Sequence, residues 1–281
     1  MKINGHTKIA GLIGNPIAHS LSYTLHNAAL EALGIDACYL PFPSPDTSSL
    51  KNLVSMMRTP GFVGANVTIP HKENIIPMLD SIDRNAQRIG AVNTITKQLD
   101  GTLLGKNSDA EGFLLSLENA SIQYTNRNVF LIGAGGAARA VAMILAPHVA
   151  SITIWNRTPA KAQKLLFELR KKDFPNNISL SFCADPSSYP LPPKSILIQC
   201  TPLGKEDEMP PHPQLDKSHT VIDLLYQYTP LLQQSHALGA QIQDGSSMLI
   251  HQAAISFSWW FSVPPPIEIM YRSLHKQRKI V

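Results

Sequence analysis

The stretch from Asn128 to Ala140, NVFLIGAGGAARA, constrains the fold of this chain more than any other segment. Its first half is largely apolar and predicts a strand, while its alanine-rich end predicts the start of a helix. Gly133, Gly135 and Gly136 lie between the two and allow the backbone to turn tightly. The free N–H groups at the start of such a helix attract negative charge. The segment therefore predicts a strand–turn–helix unit of the kind that binds a dinucleotide pyrophosphate through Gly133–Ala137, that is Gly133, Ala134, Gly135, Gly136 and Ala137.

Apolar, β-branched runs alternate with helical patterns along much of the chain. Strands are predicted at Lys8–Ile13, Phe62–Ile69, Asn128–Ile132, Ser151–Trp155, Ser195–Cys200, Thr220–Asp223 and Ala240–Gln243. Helices are predicted at Leu21–Leu33, with Ser20 as its N-cap, and at Gly136–Leu145, Pro159–Lys171, Pro230–Leu238 and Ser246–Phe261. This alternation predicts an α/β fold with parallel sheets covered by helices.

Composition excludes several classes of protein. Hydrophobic residues make up 44% and charged residues 16% of the 281 residues, which is typical of a globular protein with two domains. The net charge of +4 comes from scattered cations, so nucleic acid is not an expected partner. Three distant cysteines without metal-ligand spacing predict neither disulfides nor a metal site. Without a long apolar run or a signal pattern, we expect a cytoplasmic protein that does not enter the membrane.

The second strand of the dinucleotide unit ends in Asn156-Arg157-Thr158. An NAD site usually has an acidic residue here, which accepts a hydrogen bond from the ribose 2′-hydroxyl. Arg157 instead offers donors that suit a 2′-phosphate, and Lys161 lies one helical turn further on. These residues favour NADP, and the alternative is that Arg157 is an ordinary solvated residue.

Polar residues at predicted element ends indicate a second site. Ser20 and Ser22 can hold a carboxylate at a helix start, although serines there often only cap the helix. Lys72, predicted in the first turn of a helix, and the later Asn93 and Asp109 could line one site. Reduction of a ketone needs a proton for the developing alkoxide, which Lys72 can give while Asp109 orients hydroxyls.

The ordered blocks of this sequence resemble the shikimate dehydrogenase family. The blocks are the serine-bearing start, NVTIPHK, GAVNT, NSD, GAGGAA, NRT, the DLLY and TPL pair, and GSSMLIHQA. The resemblance implies reversible reduction of 3-dehydroshikimate to shikimate with NADPH, without a metal. It also implies a catalytic pair, Lys72 and Asp109.

Further site residues follow from the same resemblance. The substrate carboxylate would be held by Ser20, Ser22 and Tyr226. The ring hydroxyls would be bound by Thr68, Asn93, Asp109 and Gln252, with Asn66 nearby. NADP would be held by the glycine turn, Asn156, Arg157, Thr158 and Lys161. The nicotinamide end would be flanked by Thr201, Leu224, Gly245 and Met248.

The resemblance implies two α/β domains with a cleft between them. Residues 1–105, completed by C-terminal helices in 245–281, would form the substrate-binding domain, and residues 106–244 the Rossmann-like NADP-binding domain. The partners would be small molecules, and the protein would be a monomer or a homodimer.

Two alternatives stay open: a quinate/shikimate dehydrogenase with relaxed substrate and cofactor use, and a non-catalytic NADP-binding sensor. Tyr23, Gln199 and Lys205 depart from the family pattern.

Overall fold

The computed structural model describes residues 3–175, 177–204 and 208–278, so Lys205 lies outside the described residues. The strands are β1 (Lys8–Gly14), β2 (Ala37–Pro43), β3 (Gly64–Val67), β4 (Ser81–Ile82), β5 (Thr94–Lys97), β6 (Leu103–Lys106), β7 (Asn128–Ile132), β8 (Ser151–Trp155), β9 (Ser179–Phe182), β10 (Ile196–Gln199), β11 (Thr220–Asp223) and β12 (Gln241–Asp244). The α-helices are α1 (Ser22–Ala32), α2 (Thr47–Met57), α3 (Arg84–Ile89), α4 (Asp109–Asn119), α5 (Gly136–Leu145), α6 (Pro159–Arg170), α7 (Pro230–Ala237), α8 (Ser246–Phe261) and α9 (Ile267–Arg278). None of the helices in this described part is long and apolar enough to span a membrane.

The chain divides into two units. The first takes the chain up to Gly112 and again from Leu249, and the second takes Phe113–Met248. Both boundaries between the units lie inside helices, the first in α4 and the second in α8. The boundaries predicted from the sequence lie a few residues earlier, at 105/106 and 244/245.

The sheet of the first unit has the strand order β2-β1-β3-β5-β6-β4. β1 pairs in parallel with β2 and β3, but β5 is antiparallel to both of its neighbours. The predicted parallel pairing therefore holds for β2, β1 and β3, whereas β5 makes the sheet of this half mixed. A short turn joins β5 to β6, and such a connection can join only antiparallel strands.

The sheet of the second unit is entirely parallel, with the order β12-β11-β10-β7-β8-β9. Its central strands are buried on both faces, as their apolar runs predict, and Phe130, Leu131 and Ile198 are fully buried. The strand order reverses beside β7. Ligands of open α/β sheets bind at the carboxyl ends of the strands next to such a reversal. The prediction of an α/β fold with a Rossmann-like half is confirmed.

The start of α1 differs from the prediction. The N-cap is Leu21, and the helix begins at Ser22 without a side-chain cap. Ser20 instead accepts a hydrogen bond from the Ser22 backbone N–H at 3.2 Å. Both hydroxyl-bearing residues therefore lie at the free N-terminus of α1.

α1 packs in the first unit against the C-terminal helices. Its apolar face, which includes Leu25 and Ala29, joins a cluster with Phe257 of α8 and Met270 of α9. These contacts give α8 and α9 a structural role in this unit, because burying such side chains contributes roughly 1.5–3 kcal/mol each.

His26 lies inside the first unit among aromatic rings. Its side chain is 1% exposed, and its ring stacks on Tyr39 with centroids 4.3 Å apart. Trp260 and Phe257 lie at 5.2 and 6.3 Å. Burial lowers the pKa of His26 to about 3. The folded state therefore keeps this imidazole neutral at pH values where the unfolded chain protonates it.

We predict that His26 makes the protein acid-sensitive. The pKa of His26 is lower in the folded state than in the unfolded chain. The stability that His26 contributes is therefore fully present above the unfolded pKa of about 6.5 and is lost as the pH falls toward 3. Between roughly pH 7.5 and pH 5.5, the parent should lose about 1.4 kcal/mol more unfolding free energy than His26→Phe. Urea titrations at several pH values measure this difference. The control is His6→Phe at an exposed histidine, which should follow the parent; a His26→Phe curve parallel to the parent's would contradict the account.

Candidate active site

Lys72 and Asp109 form an ion pair in the first unit. Lys72 Nζ lies 2.5 Å from Asp109 Oδ2, and the two side chains are 15% and 7% exposed. Residues 37 apart in the sequence thus meet in a partly enclosed place. Lys72 keeps some access to solvent, and a group that reacts with a ligand requires such access.

Asn93 holds the other carboxylate oxygen. Its Nδ2 donates to Asp109 Oδ1 at 2.7 Å, while its Oδ1 accepts from the Ser108 backbone N–H at 2.7 Å. Since a backbone N–H can only donate, the Asn93 oxygen must face Ser108 and the nitrogen must face Asp109. The orientation of this amide is therefore determined by the fold.

Short polar turns place these side chains. Lys72 lies in a turn that leads into a 3-10 helix at Ile76–Met78, so its predicted place in the first turn of a helix is wrong. Its carbonyl accepts from the Val92 N–H at 2.8 Å, which ties the turn to the segment before Asn93. Asp109 is the first residue of α4, and Asn107 accepts from the Ala110 N–H there at 3.2 Å.

Asn66 belongs to the interior of the same unit. It is 4% exposed, and its Oδ1 accepts from the Tyr39 hydroxyl at 2.9 Å. Its Nδ2 donates to the Asn93 carbonyl and to the hydroxyls of Thr94 and Ser256, at 3.0–3.2 Å. These bonds occupy both ends of the amide, so Asn66 supports the segment that carries Asn93 from the interior of the unit.

The other predicted substrate residues divide between the units. Ser20, Ser22, Thr68 and Gln252 belong to the first unit, and Tyr226, 40% exposed, belongs to the second. Gln252 is 9% exposed and donates to the Leu249 carbonyl at 2.8 Å.

The glycine turn is open beside the start of α5. Gly133 has φ +116°, a conformation that favours glycine, and a Cβ there would lie 3.0 Å from Thr201 Cγ2. Gly135 is exposed, and a Cβ there would meet no protein atom within 4 Å. α5 follows at Gly136 without a side-chain cap, so its first N–H groups are available to an anion.

Residues at the end of β8 add positive charge. Asn156 Nδ2 donates to the Thr158 carbonyl at 2.9 Å and closes the turn before α6. Arg157 and Lys161 are both exposed, so their charges are accessible to a ligand. This position holds Arg157 and not the acidic residue of a usual NAD site, which is compatible with a 2′-phosphate.

The predicted nicotinamide residues lie at one edge of the parallel sheet. Thr201 follows β10, Leu224 follows β11 and Gly245 follows β12. A Cβ on Gly245 would lie 2.2 Å from the Leu224 carbonyl oxygen, so only glycine allows this close approach. Met248, 7% exposed, packs in α8 of the same unit.

Gln199 organises the loop after β10. Its Nε2 donates to the carbonyls of Thr201 and Leu203 at 3.0 and 2.7 Å, and its Oε1 accepts from the Thr201 N–H at 2.5 Å. The longer amide that departs from the family pattern thus fixes the turn beside the glycine loop. Tyr23, another departure, donates from its hydroxyl to the Ile17 carbonyl at 3.0 Å.

Asp223 is buried at the end of β11. Burial raises its pKa to about 6, although the Leu225 N–H and the Thr229 hydroxyl both donate to it. These bonds tie the loop that carries Leu224 to the N-cap of α7.

The sequence does not predict the buried hydroxyls that surround the Asn93 amide. Thr94, Ser108 and Ser256 are fully buried and bonded to one another. Ser108 could have been noticed beside Asp109, but nothing in the apolar pattern of α8 marks Ser256.

Family models match three parts of the chain. Residues 12–95 match the shikimate dehydrogenase substrate binding domain, residues 116–180 the shikimate / quinate 5-dehydrogenase model, and residues 245–275 the shikimate 5′-dehydrogenase C-terminal domain.

Individual relatives match almost the whole chain. A shikimate dehydrogenase (NADP(+)) of Carboxydothermus hydrogenoformans is 38% identical over 98% of this chain and 99% of its own. A solved shikimate dehydrogenase in complex with NADP+ is 37% identical with a TM-score of 0.88, over 98% of this chain and 97% of that chain. The Thermus thermophilus enzyme, solved with NADP(H) and shikimate, is 32% identical with a TM-score of 0.82, over 96% and 99% of the two chains. The predicted resemblance is confirmed, and the chain belongs to the shikimate dehydrogenase family.

Proposed function

We propose that this protein catalyses the reversible reduction of 3-dehydroshikimate to shikimate with NADPH. The observation that carries the proposal is the ion pair of Lys72 and Asp109, 2.5 Å apart and held by the oriented amide of Asn93. Membership of the family supports the substrate and the cofactor, because the relatives named above act with NADP.

Lys72 is the proton donor of the proposed reduction. As the ketone is reduced, negative charge develops on its oxygen, and the ammonium can stabilise that charge and then transfer a proton to it. Asp109 accepts a hydrogen bond from a neighbouring substrate hydroxyl and keeps Lys72 in place. In the reverse direction Lys72 takes the proton from the hydroxyl that is oxidised.

The cofactor would be held by the second unit. Bound NADPH supplies the hydride. Gly133, Gly135 and the N–H groups of α5 fit its pyrophosphate, because the turn is open and uncapped. Arg157 and Lys161 suit its 2′-phosphate, with Asn156 and Thr158 shaping the turn; Thr201, Leu224, Gly245 and Met248 would flank the nicotinamide.

The substrate would be held through its carboxylate and hydroxyls. We assign the carboxylate to Ser20 and Ser22, since the α1 N-terminus is uncapped and favours an anion. The assignment of Tyr226 to the same carboxylate comes from the family resemblance alone. Thr68, Asn93 and Gln252 would bind ring hydroxyls. Asn66 would act from the interior, as its bonds indicate.

The proposal includes a cytoplasmic location and a monomer or homodimer. Cys38, Cys183 and Cys200 are free thiols, which is compatible with a reducing compartment. The oligomeric state is measured directly by light scattering.

Removing the ammonium of Lys72 tests the mechanism. Lys72→Ala should reduce kcat for NADPH-dependent reduction of 3-dehydroshikimate by about 10²–10⁴, because the proton donor is lost. The matched control is Lys97→Ala, since Lys97 is also hydrogen-bonded, to the Arg58 and Thr59 carbonyls, but lies outside the proposed site. Circular dichroism checks that both variants fold. A folded Lys72→Ala protein with the parent's kcat would refute the assignment.

The positive charge after β8 sets the cofactor preference. Arg157→Ala should raise the KM for NADP+ by about 10-fold or more and change the KM for NAD+ much less, because only NADP+ carries the 2′-phosphate. The control Lys164→Ala removes an exposed cation from α6, the helix that begins just after Arg157, and should leave both KM values unchanged. Equal losses with both cofactors in Arg157→Ala would count against a 2′-phosphate contact.

Quinate is the competing substrate, since the model matched by residues 116–180 covers shikimate and quinate enzymes. We expect kcat/KM with NADP+ to be at least about 10-fold higher for shikimate than for quinate, a difference typical of one substrate group that fits or clashes. Initial rates with both acids and both cofactors measure this. Comparable values would favour the relaxed enzyme, and no turnover with a tightly bound cofactor would favour a sensor.

A further inference from the structure

We propose that Ser256, on α8, is a positioning residue that fixes the Asn93 amide and through it the carboxylate of Asp109. The expected effect of Ser256 on catalysis rests on the proposed function. Ser256 touches neither Lys72 nor Asp109 in any hydrogen bond among the described residues, so its action must pass through other groups.

Ser256 joins several buried polar groups. Its side chain is fully buried, and its Oγ lies 2.9 Å from the Gln252 carbonyl oxygen and 3.1 Å from Ser108 Oγ. Thr94 Oγ1 lies 2.9 Å away, and Asn66 Nδ2 donates to Ser256 from 3.0 Å. A single hydroxyl therefore connects α8 with the segments that carry Asn66, Asn93 and Asp109.

The directions of these hydrogen bonds follow from what each group can donate. The Gln252 carbonyl can only accept, so the Ser256 hydroxyl donates to it. The Ser256 oxygen then accepts from the Ser108 hydroxyl. The Ser108 oxygen is left to accept from Asn93 Nδ2 at 2.9 Å, beside that nitrogen's bond to Asp109.

Loss of the Ser256 hydroxyl removes one acceptor from this set of hydrogen bonds. The Ser108 hydroxyl would lose this acceptor and turn to Asn93 Oδ1 or Thr94 Oγ1, each 3.3 Å away. Its lone pairs would turn with it, and the hydrogen bond that Asn93 Nδ2 donates to Ser108 at 2.9 Å would be less well aligned. The amide would be held less firmly, and the carboxylate of Asp109 with it, while the residues that contact substrate would all remain.

The test compares Ser256→Ala with Ser235→Ala. Ser235 of α7 is also fully buried, and its hydroxyl donates to the carbonyl of Leu231, four residues earlier, at 2.7 Å. Both variants lose a buried helical hydroxyl, but only Ser256 is connected to Asn93. We expect Ser256→Ala to lower kcat for shikimate oxidation by about 3- to 10-fold with KM changed less than about 2-fold, and Ser235→Ala to change neither.

A second measurement does not need catalysis. The protein is labelled with 15N-asparagine, and the side-chain NH2 signal of Asn93 is assigned by its loss in Asn93→Ala. This NH2 group should exchange its hydrogens at least about 5-fold faster in Ser256→Ala than in the parent or Ser235→Ala.

Parent-like exchange and kcat in Ser256→Ala would overturn the proposal. Equal kinetic losses in both variants would also overturn it, because they would show a general packing effect. A parent inactive with shikimate and 3-dehydroshikimate would instead refute the proposed function, and the exchange rates would still decide the role of Ser256.

Discussion

The ion pair between Lys72 and Asp109 lies in a partly enclosed place, and the neutral amide of Asn93 shares the carboxylate. Removing charges from water is costly, and a pair with few hydrogen bonds does not compensate that cost. Asn93 supplies a further donor, and the Ser108 N–H prevents the amide from turning over. The site therefore depends on the Ser108 N–H at the start of α4 together with the hydroxyls of Thr94 and Ser108, which bond to the same amide.

The two units provide binding sites by different means. In the second unit, a uniform parallel sheet brings Gly133, Thr201, Leu224 and Gly245 to the same edge, because each follows the carboxyl end of a strand. In the first unit, the mixed sheet ends in short polar turns, and hydrogen bonds between side chains place the reactive groups. The first arrangement is a property of the fold, whereas the second depends on individual residues.

This difference explains what the sequence could predict. The central parallel strands of the second unit, β7, β8, β10 and β11, and the glycine turn are predicted nearly residue by residue, since apolar runs and glycine spacing are local signals. The strands β2, β4, β5, β6 and β9 are not predicted; β5 and β6 contain Thr and Lys residues and pair as a hairpin, so they lack a long apolar run. The resemblance identified Lys72 and Asp109, but the turn that carries Lys72 and the hydroxyls behind Asn93 depend on tertiary contacts. Ser256 has no local signal, because a single serine in an apolar helix is ordinarily only buried.

A neutron crystal structure with shikimate bound tests the central claim most directly, because it locates hydrogens. We predict deuterons of the Asn93 amide nitrogen directed at Asp109, with Lys72 Nζ and an Asp109 oxygen each within about 3.2 Å of a substrate hydroxyl. An Asn93 amide turned with its oxygen toward Asp109, or shikimate bound away from both side chains, would contradict the account.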